Sequence, residues 1–141
     1  MASTIQRRPI PAFHPVHALL LGGVTFLFIG ALLSDIAYAR TFEIQWNNFA
    51  SWLITGGLVV AGAALVSALA GLLPSRRMPG SLLHFVLLLA TWVTGFFNAL
   101  MHARDAWASM PGGLVLSVIT VVLAIVATFF AVRAPRIGGV E

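Results

Sequence analysis

Cysteine is absent from this 141-residue chain, which excludes disulfides, thiolate metal sites, c-type haem attachment and thiol catalysis for the chain alone. Lysine is absent as well, and charged residues make up only 9% of the sequence. The arginines stand in pairs beside apolar runs and lack the interleaved aromatic residues of a nucleic-acid-binding patch. We therefore expect no nucleic-acid partner.

Apolar residues make up 60% of the chain. This composition is typical of integral membrane proteins. Four runs are long enough to cross a hydrocarbon core, which takes roughly 20 helical residues. The sequence predicts an all-α integral membrane protein with one domain, residues 1–141. Because the connections are short, we expect an up-down-up-down four-helix bundle. The predicted spans are residues 17–38, 49–73, 81–101 and 113–132.

Arginine placement predicts the orientation, because short cytoplasmic loops collect Lys and Arg. Arg40 and Arg104 lie on one side of the predicted bundle, and each has an acidic residue nearby. The other six lie on the opposite side: Arg7, Arg8, Arg76, Arg77, Arg133 and Arg136. We therefore expect both termini in the cytoplasm. The aromatic residues of the opposite, periplasmic interface agree with this: Tyr38, Trp46, Trp52 and Trp107.

Two predicted helices carry polar residues at both ends of one face. His17 and Asp35 are 18 positions apart in the first span, and His84 and His102 are 18 apart in the third. That interval is five helical turns, so each pair points in one direction, about 27 Å apart along the axis. Because both helices run the same way, His17 and His84 share one depth, and Asp35 and His102 share the other.

The cytoplasmic cluster predicts a cofactor or metal site. His17 and His84, on separate helices, could be the axial ligands of the iron of a b-type haem, with His14 as the alternate ligand. Small residues could give the macrocycle room, although they serve helix packing in membranes equally well. These residues are Gly22, Gly23, Gly56, Gly57, Gly62 and Gly95. Alternatively, His14, His17 and His84 could bind zinc, copper or iron without porphyrin.

The periplasmic cluster combines Asp35, Asn98 and His102. Ionisable groups within spans are costly and usually mark function, and histidine exchanges protons near neutral pH. These three residues predict a proton-exchanging pocket or a site for a quinone head group. The structural alternative is an Asp35 pair with His102 or Arg104 that ties two helices together.

Several motifs together resemble the bacterial membrane-protein family catalogued as domain of unknown function 2231. They are His14-Pro15, Asp35, the stretch from Phe97 to Trp107, and the stretch from Gly112 to Ser117. The resemblance extends from about residue 12 to residue 134. The matching polar residues are His14, Asp35, Asn98, His102, Arg104 and Asp105, whereas the assignment of His17 and His84 depends on their shared depth.

The resemblance implies a multi-pass protein of the bacterial inner membrane. Related families occur beside or joined to redox modules such as cytochrome c and Rieske-type domains, which implies membrane electron transfer. The leading hypothesis is a haem protein in the lipid bilayer that passes electrons between a redox partner and the quinone pool. The alternatives are a non-enzymatic anchor or assembly subunit, and a small metal-binding or transport protein. A homodimer is also compatible with the sequence.

Overall fold

A computed structural model of the chain describes residues 15–74 and 79–133. This part of the chain is helical and contains four long helices and one short one. In chain order, they are α1 (Pro15–Thr41), α2 (Ile44–Ala70), α3 (Ser81–His102), α4 (Ala106–Ser109) and α5 (Gly112–Arg133).

All four predicted spans are confirmed as apolar helices long enough to cross a membrane. The prediction for the second span was least accurate, because the helix begins at Ile44 instead of residue 49 and ends at Ala70. Polar residues such as Asn47 and Asn48 lie in its first turns, where the hydropathy pattern favoured a loop. The single turn α4 was not predicted.

The connection between α1 and α2 consists of only two residues, Phe42 and Glu43. Phe42 ends α1 in the left-handed region at φ 56°, and its backbone N–H donates to the carbonyl of Tyr38. A residue in this conformation commonly terminates a helix, although glycine is the usual choice. Ring contacts with Tyr38 and Trp107 hold Phe42 in place, so the chain can reverse direction sharply here.

Each long helix packs against two neighbours: α1 and α3 both contact α2 and α5. Near the start of α1, His17 reaches Ser67 near the end of α2 and His84 near the start of α3. Helices α1 and α3 therefore begin at the same end of the bundle, as the shared depth of their histidines required. The cytoplasmic location of that end stays a prediction from the arginines.

The bundle is apolar outside and more polar inside. Large apolar side chains such as Leu19, Phe26 and Trp52 are more than two-thirds exposed, as expected for a surface that faces lipid. The described interior combines small residues with buried polar ones, among them His17, Asp35, His84, Asn98, Thr91, Thr120 and His102. Close approach of helices and internal hydrogen bonds are the usual means of association in membranes.

Phe28 fills the middle of the bundle and is only 1% exposed. A Cβ atom added to Gly57 on α2 would lie 3.0 Å from its ring, and one added to Gly95 on α3 would lie 2.9 Å from it. These two glycines therefore make room for an aromatic side chain of α1. At these positions the structure favours the packing interpretation of the glycines.

Candidate functional site

Asp35, His102 and Ser117 meet at the end of the bundle where α1 and α3 finish and α5 begins. The Asp35 carboxylate is fully buried. Its Oδ1 lies 2.7 Å from His102 Nε2, and its Oδ2 accepts a hydrogen bond of 2.5 Å from the Ser117 hydroxyl. Three helices thus converge on one carboxyl group. We call these residues, with Asn98, the Asp35 cluster.

The hydrogen bonds determine how many protons the Asp35–His102 pair holds. His102 Nδ1 lies 3.0 Å from the backbone carbonyl of Asn98, and a carbonyl can only accept, so Nδ1 carries a proton. One further proton lies between His102 Nε2 and Asp35 Oδ1, on either atom. Both arrangements make the pair neutral overall, which avoids the cost of an uncompensated charge in the interior. The pair therefore holds a single proton in the 2.7 Å contact between His102 Nε2 and Asp35 Oδ1.

Asn98 completes the cluster, and its side-chain Oδ1 has no hydrogen-bond partner among the described residues. Because Ser117 donates to the carboxylate, its oxygen accepts from the Asn98 side-chain N–H, at 2.7 Å. This orientation directs Asn98 Oδ1 away from Ser117. Asn98 is fully buried. In the part of the chain that the structure describes, its Oδ1 has no hydrogen-bond partner. A buried acceptor left in this state is costly, which points to a ligand or water that donates to it.

Gly113 has no side chain, which leaves space for the His102 ring. A Cβ atom added there would lie 2.8 Å from His102 Cε1, and both ring nitrogens are already hydrogen-bonded. The ring could not move away without losing one of those bonds. Gly113, at the start of α5, is thus part of the site architecture.

The short helix α4 connects α3 to α5 at this end of the bundle and contacts both helices. Ser109 donates to Asn47 Oδ1 at 3.2 Å, and the Trp107 ring stacks on Phe42 with 5.7 Å between centroids. Trp107 itself is 78% exposed.

The histidines at the other end of the bundle contact each other directly. His17 Nε2 lies 3.0 Å from His84 Nε2, and the two rings meet edge to face with 5.2 Å between centroids. His17 Nδ1 lies 3.0 Å from the Ser67 hydroxyl, and His84 Nδ1 donates to the carbonyl of Ala127 at 3.0 Å. We call these residues the His17–His84 pair.

The nitrogens of the His17–His84 pair lie closer together here than the axial ligands of a bis-histidine haem, and the haem ligand set expected from the sequence stays a prediction. Axial ligands lie on opposite faces of the macrocycle, and two iron–imidazole bonds of about 2 Å separate their nitrogens by about 4 Å. The nitrogens of His17 and His84 are 3.0 Å apart. The alternate ligand His14 lies outside the described residues.

Several other predicted positions can now be assigned. The structure brings Asp35, Asn98 and His102 together, and Asp35 pairs with His102 instead of Arg104. Arg104 and Asp105 are exposed near the bundle end and do not join the cluster.

Sequence reasoning missed the roles of Ser67 and Ser117. The sequence signal that could have found Ser117 is that Ser117 and Thr120 are polar residues three positions apart, on one helical face of an otherwise apolar run.

Fold and site together define a four-helix membrane bundle with a buried polar cluster near each end. The chain belongs to the family described as predicted membrane protein, domain of unknown function 2231, whose family model matches residues 13–134. This confirms the resemblance seen in the sequence. Comparison with curated proteins gave no match, and neither did comparison with solved structures.

Proposed function

We propose that this protein is a membrane subunit that exchanges a proton with a quinol head group at the Asp35 cluster. A redox partner protein would carry the electrons to or from the quinone pool. The observation that carries the proposal is the Asn98 side-chain oxygen, which is buried beside a single shared proton and lacks a partner among the described residues.

The chemistry of that oxygen selects between the two redox forms of the ligand. Asn98 Oδ1 can only accept a hydrogen bond. A quinol hydroxyl donates one, whereas a quinone has only carbonyl acceptors. The site is therefore better suited to the reduced ligand than to the oxidised one.

The neighbouring pair supplies the proton chemistry. The His102 imidazole and the Asp35 carboxyl share one proton across a 2.7 Å contact, and Ser117 holds the second carboxyl oxygen in place. Histidine paired with a carboxylate is a common proton-transferring combination. The Asp35 cluster can thus take or release one proton while its remaining hydrogen bonds hold its side chains in position.

Replacing Asn98 by leucine is expected to weaken quinol binding about tenfold, the effect of losing one hydrogen bond of about 1.4 kcal/mol. Binding of a short-tail quinol and of its quinone would be measured by calorimetry on protein in lipid nanodiscs. Wild-type protein should prefer the quinol, and Asn98→Leu should lose this preference. The matched control is Asn48→Leu, because Asn48 is exposed on α2. Equal quinol affinity in wild type and Asn98→Leu would contradict the proposal.

A second candidate function is supported by the same residues. The Asp35 cluster links α1, α3 and α5, so it can serve purely to hold the bundle together in an anchor or assembly subunit. An anchor would retain its fold and partner binding without quinol affinity. The calorimetric comparison therefore separates the two functions.

A further inference from the structure

The hydrogen bonds of the Asp35 cluster form a closed ring that begins and ends at Asn98. His102 Nδ1 donates to the backbone carbonyl of Asn98 at 3.0 Å, and His102 Nε2 lies 2.7 Å from Asp35 Oδ1. The Ser117 hydroxyl lies between Asp35 Oδ2, at 2.5 Å, and the Asn98 side-chain nitrogen, at 2.7 Å. All four residues are buried, so the ring itself determines which group donates in each bond.

One atom of the ring has a fixed role, and the roles of the others follow from it. The Asn98 backbone carbonyl can only accept, so His102 Nδ1 carries a proton. The neutral Asp35–His102 pair has its single further proton in the contact between His102 Nε2 and Asp35 Oδ1, because another would leave an uncompensated buried charge. Asp35 Oδ2 consequently carries no proton and can only accept, so the Ser117 hydroxyl donates to it.

The direction of the Ser117 hydroxyl determines which way the Asn98 amide faces. A hydroxyl has one proton, and Asp35 Oδ2 accepts it. The Ser117 oxygen therefore accepts from the Asn98 NH2 group, and Oδ1 faces the opposite way, buried without a partner among the described residues. The same amide turned over would present N–H donors at that place, which suit the carbonyl oxygen of a quinone instead of a quinol hydroxyl.

We propose that Ser117 is the positioning residue that determines which redox form of the ligand the Asp35 cluster prefers. The inference rests on the proposed function, since it identifies the residue behind the preference for quinol at the same site. Ser117 acts through Asn98, whose amide it orients. Position 117 needs a side chain that donates one hydrogen bond and accepts another. Serine and threonine hydroxyls do both, and alanine does neither.

Ser117→Ala is expected to reduce the preference for quinol over quinone from about tenfold to about twofold or less, because the Asn98 amide can then take either orientation. The affinities of a short-tail quinol and of its quinone are measured by calorimetry on protein in lipid nanodiscs. Their ratio is the readout, since general loosening of the site would weaken both ligands alike. Ser117→Thr keeps the hydroxyl and should retain the preference.

Ser109→Ala is the matched control. Ser109 is a fully buried serine at the same end of the bundle, and its hydroxyl donates to Asn47 Oδ1 and the Ala106 carbonyl, outside the Asp35 cluster. This variant should leave the ratio of the two affinities unchanged. A loss of preference in Ser109→Ala equal to that in Ser117→Ala would overturn the specific role of Ser117.

Solid-state NMR tests the orientation of Asn98 without a quinol and without a variant at position 117. With nitrogen-15 in the asparagine side chains and carbon-13 at the serine β-carbons, wild-type protein should show a dipolar contact between Asn98 Nδ2 and Ser117 Cβ. Asn98→Leu should remove this contact, which assigns it. An Asn98 side-chain nitrogen that faces away from Ser117 would overturn the proposal.

The calorimetric outcomes separate this inference from the proposed function. A wild-type preference for quinol that persists in Ser117→Ala would overturn the role of Ser117 and leave the proposed function standing. Equal binding of quinol and quinone by wild-type protein would overturn both. Loss of the preference in Ser117→Ala, with retention in Ser117→Thr, would support both.

Discussion

Replacing Asp35 by alanine is expected to lower the free energy of unfolding by about 3–5 kcal/mol, the usual cost of removing one partner of a buried ion pair. The substitution leaves His102 Nε2 and the Ser117 hydroxyl without their hydrogen-bond partner. Both groups are buried, so water cannot replace the lost bonds. Unfolding by sodium dodecyl sulfate titration in mixed micelles measures the loss.

Asp35→Asn is the matched control, because asparagine can keep every hydrogen bond of the cluster. Its side-chain N–H can donate to an unprotonated His102 Nε2, and its oxygen can accept from Ser117. His102 Nδ1 still donates to the Asn98 carbonyl. We expect a stability change below about 1 kcal/mol for this variant. An equal loss for alanine and asparagine would contradict the assigned hydrogen-bond pattern.

Phe28→Ala is expected to have the second-largest effect, a loss of about 3 kcal/mol in the free energy of unfolding. Phenylalanine-to-alanine substitutions in soluble cores cost about 3–5 kcal/mol. We expect the lower end of this range, because in lipid the driving force is packing instead of escape from water. The ring packs against Gly57 and Gly95. Glycine has no side chain that could fill the cavity left by the ring.

Phe26→Ala is the control for this loss. Phe26 lies two positions away on the same helix and is 76% exposed, so its removal should change stability by less than about 1 kcal/mol. Both variants are measured by the same detergent titration. A similar loss for the two phenylalanines would show that Phe28 does not have the central packing role described.

The sequence was sufficient to predict the four spans, since each is a long apolar run. It also predicted that Asp35 and His102 lie at one end and His17 and His84 at the other, because helical periodicity determines both direction and depth. The start of α2 was missed because its first turns are polar. A single turn such as α4 is too short for helical periodicity to predict.

The contacts inside each cluster could be identified only from the structure. Spacing placed His17 beside His84 in depth, but only the structure shows their nitrogens at 3.0 Å, closer than the axial ligands of a haem iron would lie. Likewise, nothing in the spacing distinguished His102 from Arg104 as the partner of Asp35. Ser117 lies on α5, whose rotation about its own axis is determined by packing against α1 and α3.

The central claim is that the proton shared by Asp35 and His102 takes part in quinol chemistry. The most direct test is an infrared difference spectrum of protein in nanodiscs, recorded as bound quinone is reduced electrochemically. We predict a carboxyl C=O band in the wild type that disappears in Asp35→Asn and remains in Asp105→Asn, whose carboxyl is exposed. Identical carboxyl bands in wild type and Asp35→Asn would contradict the claim.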